Sequence, residues 1–87
     1  MDVAGGKTNM PFAVYLINDS VNTFDHVGKT LEKVCSLPVA EAQAATMTVH
    51  NQGKAVVFEA STEDEALEVQ AKLQQAGLTT EVKSVEG

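Results

Sequence analysis

The arrangement of apolar and polar positions predicts that the chain begins its folded part with a strand and a helix. From Phe12 to Ile17 a continuous apolar run of β-forming residues indicates a buried strand. Apolar residues then recur at helical spacing from Phe24 to Val34, and Asn22 or Thr23 precedes them as a capping residue. We therefore expect a first helix that ends near Cys35.

The next stretch predicts a helix followed by a second strand. Leu37-Pro38 begins this helix, because proline is accepted in a first turn. The segment from Val39 to His50 is rich in alanine and leads into Asn51-Gln52-Gly53, a typical helix stop. Residues Ala55 to Glu59 are mostly apolar, so we expect a second strand there.

A helix start and a helix stop define the third helix. Thr62, with Glu65 three residues later, has the spacing of a capping box. Gly77 follows Ala76 at a position where glycine commonly ends a helix. Beyond it, positions 80–85 alternate between polar and apolar residues, which predicts a half-exposed third strand.

The resulting order, β-α-α-β-α-β, predicts one α+β domain. We expect a small three-stranded sheet covered on one face by three helices, formed by residues 11–87. Residues 1–10 contain Gly5-Gly6 among small and polar neighbours. They are expected to form a flexible N-terminal tail.

Composition limits the partners that this domain can bind. The chain has 6 Lys and no Arg against 12 Asp and Glu, giving a formal net charge of −6. Nothing here can build a basic stripe for nucleic acid, whereas a cationic group suits the charge. No apolar run has the length of a membrane span, and no signal-peptide pattern is present. We therefore expect a cytoplasmic protein.

Cysteine and histidine usage gives no sign of a cofactor. The single Cys35 has no partner for an internal disulfide and is interpreted as a core or helix-end thiol. His26, His50 and the scattered carboxylates lack the spacing of a metal site. We expect neither a metal nor an organic cofactor, and no nucleophile–base pair that would indicate an enzyme.

Polar residues gather in two segments, 18–27 and 49–55, where a strand and a helix end. Asn18, Asp19 and His50 offer an amide, a carboxylate and an imidazole, all of them hydrogen-bond acceptors that suit a bound cation. From the residues alone, a structural explanation is favoured over a binding site. Asn18 and Asp19 also fit a plain turn-and-cap sequence, and His50 fits a helix end stabilised by the helix dipole.

The amino-acid sequences of these two segments resemble those of ClpS, the family of adaptors that pass proteins to the Clp protease. Asn18-Asp19-Ser20 and the pair Val49-His50 carry the resemblance, which extends over about residues 11–85. It implies an adaptor that binds proteins with a bulky hydrophobic N-terminal residue and a free amine, and delivers them to a Clp AAA+ ATPase. In this family the amine is held by residues matching Asn18, Asp19 and His50. The second acidic position is Ser20 here, which keeps an acceptor and loses a charge.

The resemblance also implies a pocket for the side chain of that N-terminal residue. It maps to Ile17, Asn22, Phe24, Val27, Thr46, Val49 and Leu78. Without the resemblance, these residues are ordinary core. Phe24 and Thr46 stand where the family commonly has methionine, which puts the preference among Leu, Phe, Tyr and Trp in question.

Contact with the ATPase is a further implication of the resemblance. Glu63 matches an acidic position of the family, whereas Glu68 stands where many members have lysine. The tail before Pro11 is shorter than the usual family extension, which leaves active delivery open. The implied partners are the N-terminal domain of a Clp AAA+ ATPase and substrate proteins, and we expect a monomer.

A second family shares the order of elements. The C-terminal domain of the bacterial ribosomal stalk protein also has an alanine-rich helix, a glycine and a short charged strand like residues 63–83. A protein-interaction domain of that type, without N-terminal-residue recognition, is therefore the alternative. Its second helix is typically rich in Lys and Gly, whereas the corresponding helix here is rich in Ala and ends in Val49-His50.

Overall fold

The computed structural model describes residues 10–84 and contains the six predicted elements in the predicted order. The strands are β1 (Phe12–Ile17), β2 (Lys54–Ala60) and β3 (Thr79–Ser84). The helices are α1 (Phe24–Val34), α2 (Val39–Gln52) and α3 (Glu63–Gln75). The expected tail, apart from Met10, and the last three residues lie outside the described part of the chain.

The three strands form one antiparallel sheet in the order β2-β1-β3. The most apolar strand is thus the central one, where both edges are paired and burial is greatest. The β1–β2 pairing shifts register between Val14 and Tyr15. Because β1 is central, the residues that follow Ile17 emerge between the ends of both neighbouring strands.

The helices cover one face of the sheet, as the sequence predicted. The core between helices and sheet contains fully buried side chains from every layer, including Leu16, Leu31 and Leu73. The opposite face carries charged side chains: the ammonium groups of Lys54 and Lys83 lie 5.3 and 5.6 Å from the centroid of the Tyr15 ring. The α+β architecture with helices on one face is therefore confirmed.

The caps explain where the helices begin and end. Thr23 Oγ1 accepts from the N–H of His26 at 3.1 Å, and Thr62 Oγ1 accepts from the N–H of Glu65 at 3.2 Å. Glu65 does not complete the reciprocal bond of a capping box, because its Oε1 accepts from the N–H of Ser61 at 3.3 Å instead. Cys35 is the residue that caps α1, one position after its last helical residue.

The predicted boundaries differ from the observed ones by single residues. β2 extends beyond the predicted span at both ends, because Lys54 and Ala60 pair with Ile17 and Phe12 across the sheet. β3 begins at Thr79, one residue earlier than predicted. Strand ends are set by pairing with β1, which a single segment does not reveal.

Candidate functional site

A pocket of about 260 Å³ opens where β1 ends, beside α1, α2 and the connection into β3. All seven residues predicted for the hydrophobic pocket line it, together with three of the four predicted for the amino group. Leu16 lines it in addition, and Ser20 does not. The lining consists of Leu16, Ile17, Asn18, Asp19, Asn22, Phe24, Val27, Thr46, Val49, His50 and Leu78.

One backbone hydrogen bond joins the two polar segments. The N–H of Asn18 donates to the carbonyl oxygen of Gly53 at 2.9 Å. Gly53 has a φ of 95° and donates its own N–H to the oxygen of Val49, which ends α2. Because glycine adopts this left-handed conformation without steric cost, the chain turns directly into β2. Asn18 and His50 are thereby brought to the same pocket.

Asp19 organises the loop between β1 and α1. Its Oδ1 accepts from the N–H groups of Val21 and Asn22, both at 3.0 Å. Its Oδ2 accepts from Asn22 Nδ2 at 3.0 Å and from the hydroxyl of Thr79 at 3.1 Å. Most of the acceptor capacity of this carboxylate is therefore used within the protein, and what it offers a ligand is chiefly its charge.

The same hydrogen bonds keep Asp19 ionised. The pKa of its carboxyl group is lowered, mainly by the hydrogen bond from the Asn22 backbone, while partial desolvation acts in the opposite direction. A negative charge consequently stays at the edge of the pocket at neutral pH. An ammonium group nearby is attracted to that charge.

Two side chains of the α1 region hold the connection between α3 and β3. Asn22 Nδ2 donates to the carbonyl oxygen of Gly77 at 2.8 Å, and His26 Nε2 lies 2.8 Å from the carbonyl oxygen of Ala76. Since a carbonyl oxygen only accepts, His26 carries a proton on Nε2. These bonds place Leu78, which is buried, in the wall of the pocket. No local pattern in the sequence indicates this contact of His26, because its partner lies 50 residues away.

The wall is apolar except at Thr46. Val49 and Leu78 are almost completely buried, whereas Phe24 is 44 % exposed and forms part of the rim. Thr46 is buried, and its hydroxyl donates to the carbonyl oxygen of Ala42 at 2.7 Å. The hydroxyl proton is thus used within α2, so the Thr46 hydroxyl can offer a ligand only acceptor capacity.

The polar rim is open to a ligand. Asn18 and His50 are both exposed, and neither side chain forms a hydrogen bond within residues 10–84. His50 lies in the last turn of α2, where the carbonyl end of the helix carries partial negative charge. Free acceptors, the Asp19 charge and this helix end together favour a cation at the rim.

Within the described residues, no group of three His, Cys, Asp or Glu side chains could hold a metal ion. Cys35 is buried and does not line the pocket, and burial raises its pKa to about 11, so it is a protonated thiol. No helix among residues 10–84 is long and apolar enough to cross a membrane.

Glu63 lies apart from the pocket, at the first position of α3. It is exposed, and it shares the first turn with Asp64 and Glu65. The carboxylate of Glu65 accepts hydrogen bonds from the N–H and hydroxyl groups of Ser61. The carboxylate of Glu63 makes no ion pair or hydrogen bond within the described residues. An exposed carboxylate of this kind is available for contact with another protein.

Comparison with known proteins relates this chain to a family. The family model for the ATP-dependent Clp protease adaptor protein ClpS matches residues 7–81. The structure of ClpS2 from Agrobacterium tumefaciens bound to L-phenylalaninamide superimposes with a TM-score of 0.71 and 24% sequence identity, covering 88% of this chain and 99% of that one. No match was found among the curated proteins. Since the family model spans most of the chain, this protein belongs to the ClpS family of Clp protease adaptors.

Proposed function

We propose that the pocket binds the N-terminal residue of a substrate protein, and that the protein delivers this substrate to a Clp AAA+ ATPase. The observation that carries the proposal is one cavity with apolar walls and a rim of open polar acceptors. A volume of about 260 Å³ lies just below the range of about 300–1,000 Å³ typical of drug-sized ligands. It suits one bulky side chain rather than a longer segment.

The two parts of the site contribute different interactions. Burying one Leu- or Phe-sized side chain against Val27, Val49 and Leu78 contributes roughly 1.5–3 kcal/mol. At the rim, the ammonium group donates to Asn18 and His50 and is attracted by the ionised Asp19. A hydrogen bond to a charged group contributes about 1.5–3 kcal/mol. Specificity therefore requires both the side chain and the free amine.

Fluorescence anisotropy with peptides that differ only in the first residue tests this proposal. A Leu-first peptide should bind, and a Gly-first peptide should not. His50→Ala and Asn18→Ala should each weaken binding of the Leu-first peptide about tenfold, corresponding to 1.4 kcal/mol. Asn51→Ala is the matched control, because Asn51 is exposed in the same turn of α2 and does not line the pocket. Equal affinity for all first residues would contradict the proposal.

The delivery step is tested separately through Glu63. Glu63→Lys should weaken binding to the N-terminal domain of a Clp AAA+ ATPase at least severalfold, since reversing a contacting charge replaces attraction by repulsion. Asp64→Lys, a neighbouring change of the same charge, is the control. Calorimetric titration measures both. A Glu63→Lys variant that binds as tightly as the parent would place the contact elsewhere.

A further inference from the structure

A second cavity, of about 690 Å³, lies between α1 and α3. Four of its lining side chains are basic, namely His26, Lys29 and Lys33 from α1 and Lys72 from α3. The rest of the lining is uncharged, and no carboxylate of the described residues belongs to it. We call these four residues and the groove between them the basic cleft.

This concentration of charge contrasts with the acidic character of the chain, whose net charge is −6. Within residues 10–84, Lys54 and Lys83 lie over Tyr15 on the open face of the sheet, and every other lysine lines the basic cleft.

The lysines of the basic cleft differ in what they contact. Lys29 Nζ lies 3.4 Å from Asp25 Oδ2, with both side chains largely exposed, so the pair is weak and accessible. Lys33 and Lys72 form no ion pair within the described residues. Two ammonium groups therefore face the cleft without counter-charges.

Stabilisation of the helix ends explains this arrangement only in part. Lys33 and Lys72 lie in the last turns of α1 and α3, where a positive charge is favourable. Lys29 lies in the middle of α1 and gains nothing from that effect. Nor does the effect explain why no carboxylate lines the cleft itself, in a chain where acidic residues outnumber lysines two to one and Asp25 pairs with Lys29 beside it.

We propose that the basic cleft docks an acidic segment of a partner protein, a stretch with at least two carboxylates. Lys29 and Lys33 are one helical turn apart on one wall and Lys72 stands on the other, so the charges follow a groove and do not surround a point. Compact phosphate sites use free helix N-termini or the arginine fork. Here the first turn of α1 is capped by Thr23 and the chain has no arginine. None of the residues that line the cleft lines the N-terminal-residue pocket.

The test uses acetylated, fluorescently labelled hexaglutamate, which lacks the free amine that the pocket requires. Anisotropy is measured in about 50 mM and about 500 mM salt, since exposed charges are screened at the higher concentration. The double variant Lys33→Glu/Lys72→Glu is compared with Lys54→Glu/Lys83→Glu. Each substitution changes the charge by two, so both variants carry −10 against −6 in the parent. The comparison therefore separates the cleft from overall charge.

The expected result is binding by the parent at low salt, retention within about twofold by Lys54→Glu/Lys83→Glu, and a loss of roughly tenfold in Lys33→Glu/Lys72→Glu. Lys33→Gln/Lys72→Gln replaces the reversed pair if that variant does not fold. No binding by the parent, or an equal loss in both double variants, overturns the proposal. Self-association of the parent that disappears in the cleft variant also overturns it, because the occupant is then a second copy.

A Leu-first peptide without acidic residues serves as the second probe in the same experiment. It should bind the parent and both double variants alike. Failure of this peptide to bind the parent contradicts the proposed pocket and leaves the hexaglutamate result for the cleft intact. The two proposals thus fail separately.

Discussion

Replacing Asp19 with alanine is expected to loosen the edge of the pocket. The change removes the acceptor for the N–H groups of Val21 and Asn22 and for the hydroxyl of Thr79. Loss of an acceptor that caps backbone N–H groups costs about 0.5–2 kcal/mol, and each further hydrogen bond contributes about 0.5–1.5 kcal/mol. Val21 and Thr79 are exposed, so water replaces part of what is lost. We expect a decrease of about 2 kcal/mol in the free energy of unfolding.

Urea unfolding of the parent, Asp19→Ala and Asp19→Asn measures this effect. Asparagine keeps one oxygen that can accept from the two backbone N–H groups. Its amide nitrogen replaces the oxygen that accepts from Asn22 Nδ2, so two donors then face each other. The free energy of unfolding of Asp19→Asn should therefore lie between those of the parent and Asp19→Ala, about 1 kcal/mol below the parent. For a domain of this size, about 1 kcal/mol corresponds to a shift of roughly 4–8 °C in the melting temperature.

The pH dependence gives an independent check on the carboxylate. Because the pKa of Asp19 is lowered in the folded state, the unfolded chain binds the proton more tightly. The stabilisation is therefore complete above the unfolded value, about 3.9, and is lost as the pH falls through the lower folded value. The gap in stability between parent and Asp19→Asn should be constant from about pH 7 to 5 and narrow below about pH 4.

Two results would refute this reasoning. One is an Asp19→Ala variant that unfolds within about 0.5 kcal/mol of the parent, the range of an ordinary surface change. The other is a gap between parent and Asp19→Asn that persists unchanged down to pH 2, since a protonated Asp19 no longer provides a charged acceptor. Either result would mean that the loop is held by contacts other than this carboxylate.

Four further outcomes follow from the site. Acetylation of a Leu-first peptide should reduce its affinity at least about tenfold by anisotropy, because the acceptors at the rim lose their charged donor; equal affinity for both forms would exclude recognition of the amine. Gly53→Ala should lower the free energy of unfolding by about 1 kcal/mol, because φ is 95° there although nothing lies within 4 Å of the added methyl group; an unchanged unfolding midpoint would show that the turn relaxes. Thr46→Val should lower the free energy of unfolding by about 1 kcal/mol, because the hydrogen bond from its hydroxyl to the carbonyl oxygen of Ala42 is lost. It should also strengthen binding of Leu-first over Tyr-first peptides, because the cavity becomes more apolar; an unchanged ranking in the folded variant would place Thr46 outside the binding surface. His26→Ala should weaken binding of the Leu-first peptide severalfold, because the carbonyl oxygen of Ala76 loses its hydrogen-bond donor. His26→Gln keeps a donor, so its affinity should lie closer to that of the parent. Identical affinity in the parent and both variants would show that His26 does not influence the pocket.

The sequence alone determined the elements and their order. Apolar residues at helical or strand spacing, the capping residues Thr23 and Thr62, and the stops at Gly53 and Gly77 are local signals, and the structure has a helix or strand at each predicted place. The family was also predictable, because the motifs that identify it are short runs of adjacent residues that can be recognised without the fold. The family model confirms that prediction.

Only the tertiary structure decided how the candidate site is held. The hydrogen bonds from Asn22 to Gly77 and from Thr79 to Asp19 join residues 55 and 60 positions apart, and local periodicity contains no information on such pairs. The sequence offered Asp19 as a ligand group, whereas the fold commits most of its acceptors to the loop. The pairing of β1 with both other strands sets where this loop emerges, and that choice depends on packing across the whole sheet.

The basic cleft illustrates the same limit. Lys33 and Lys72 are 39 positions apart, and each taken alone reads as a lysine in the last turn of a helix. Their convergence arises because α1 packs against α3. Composition predicted the acidic net charge of the protein. The distribution of charge over its surface follows from helix packing, so local sequence patterns could not predict it.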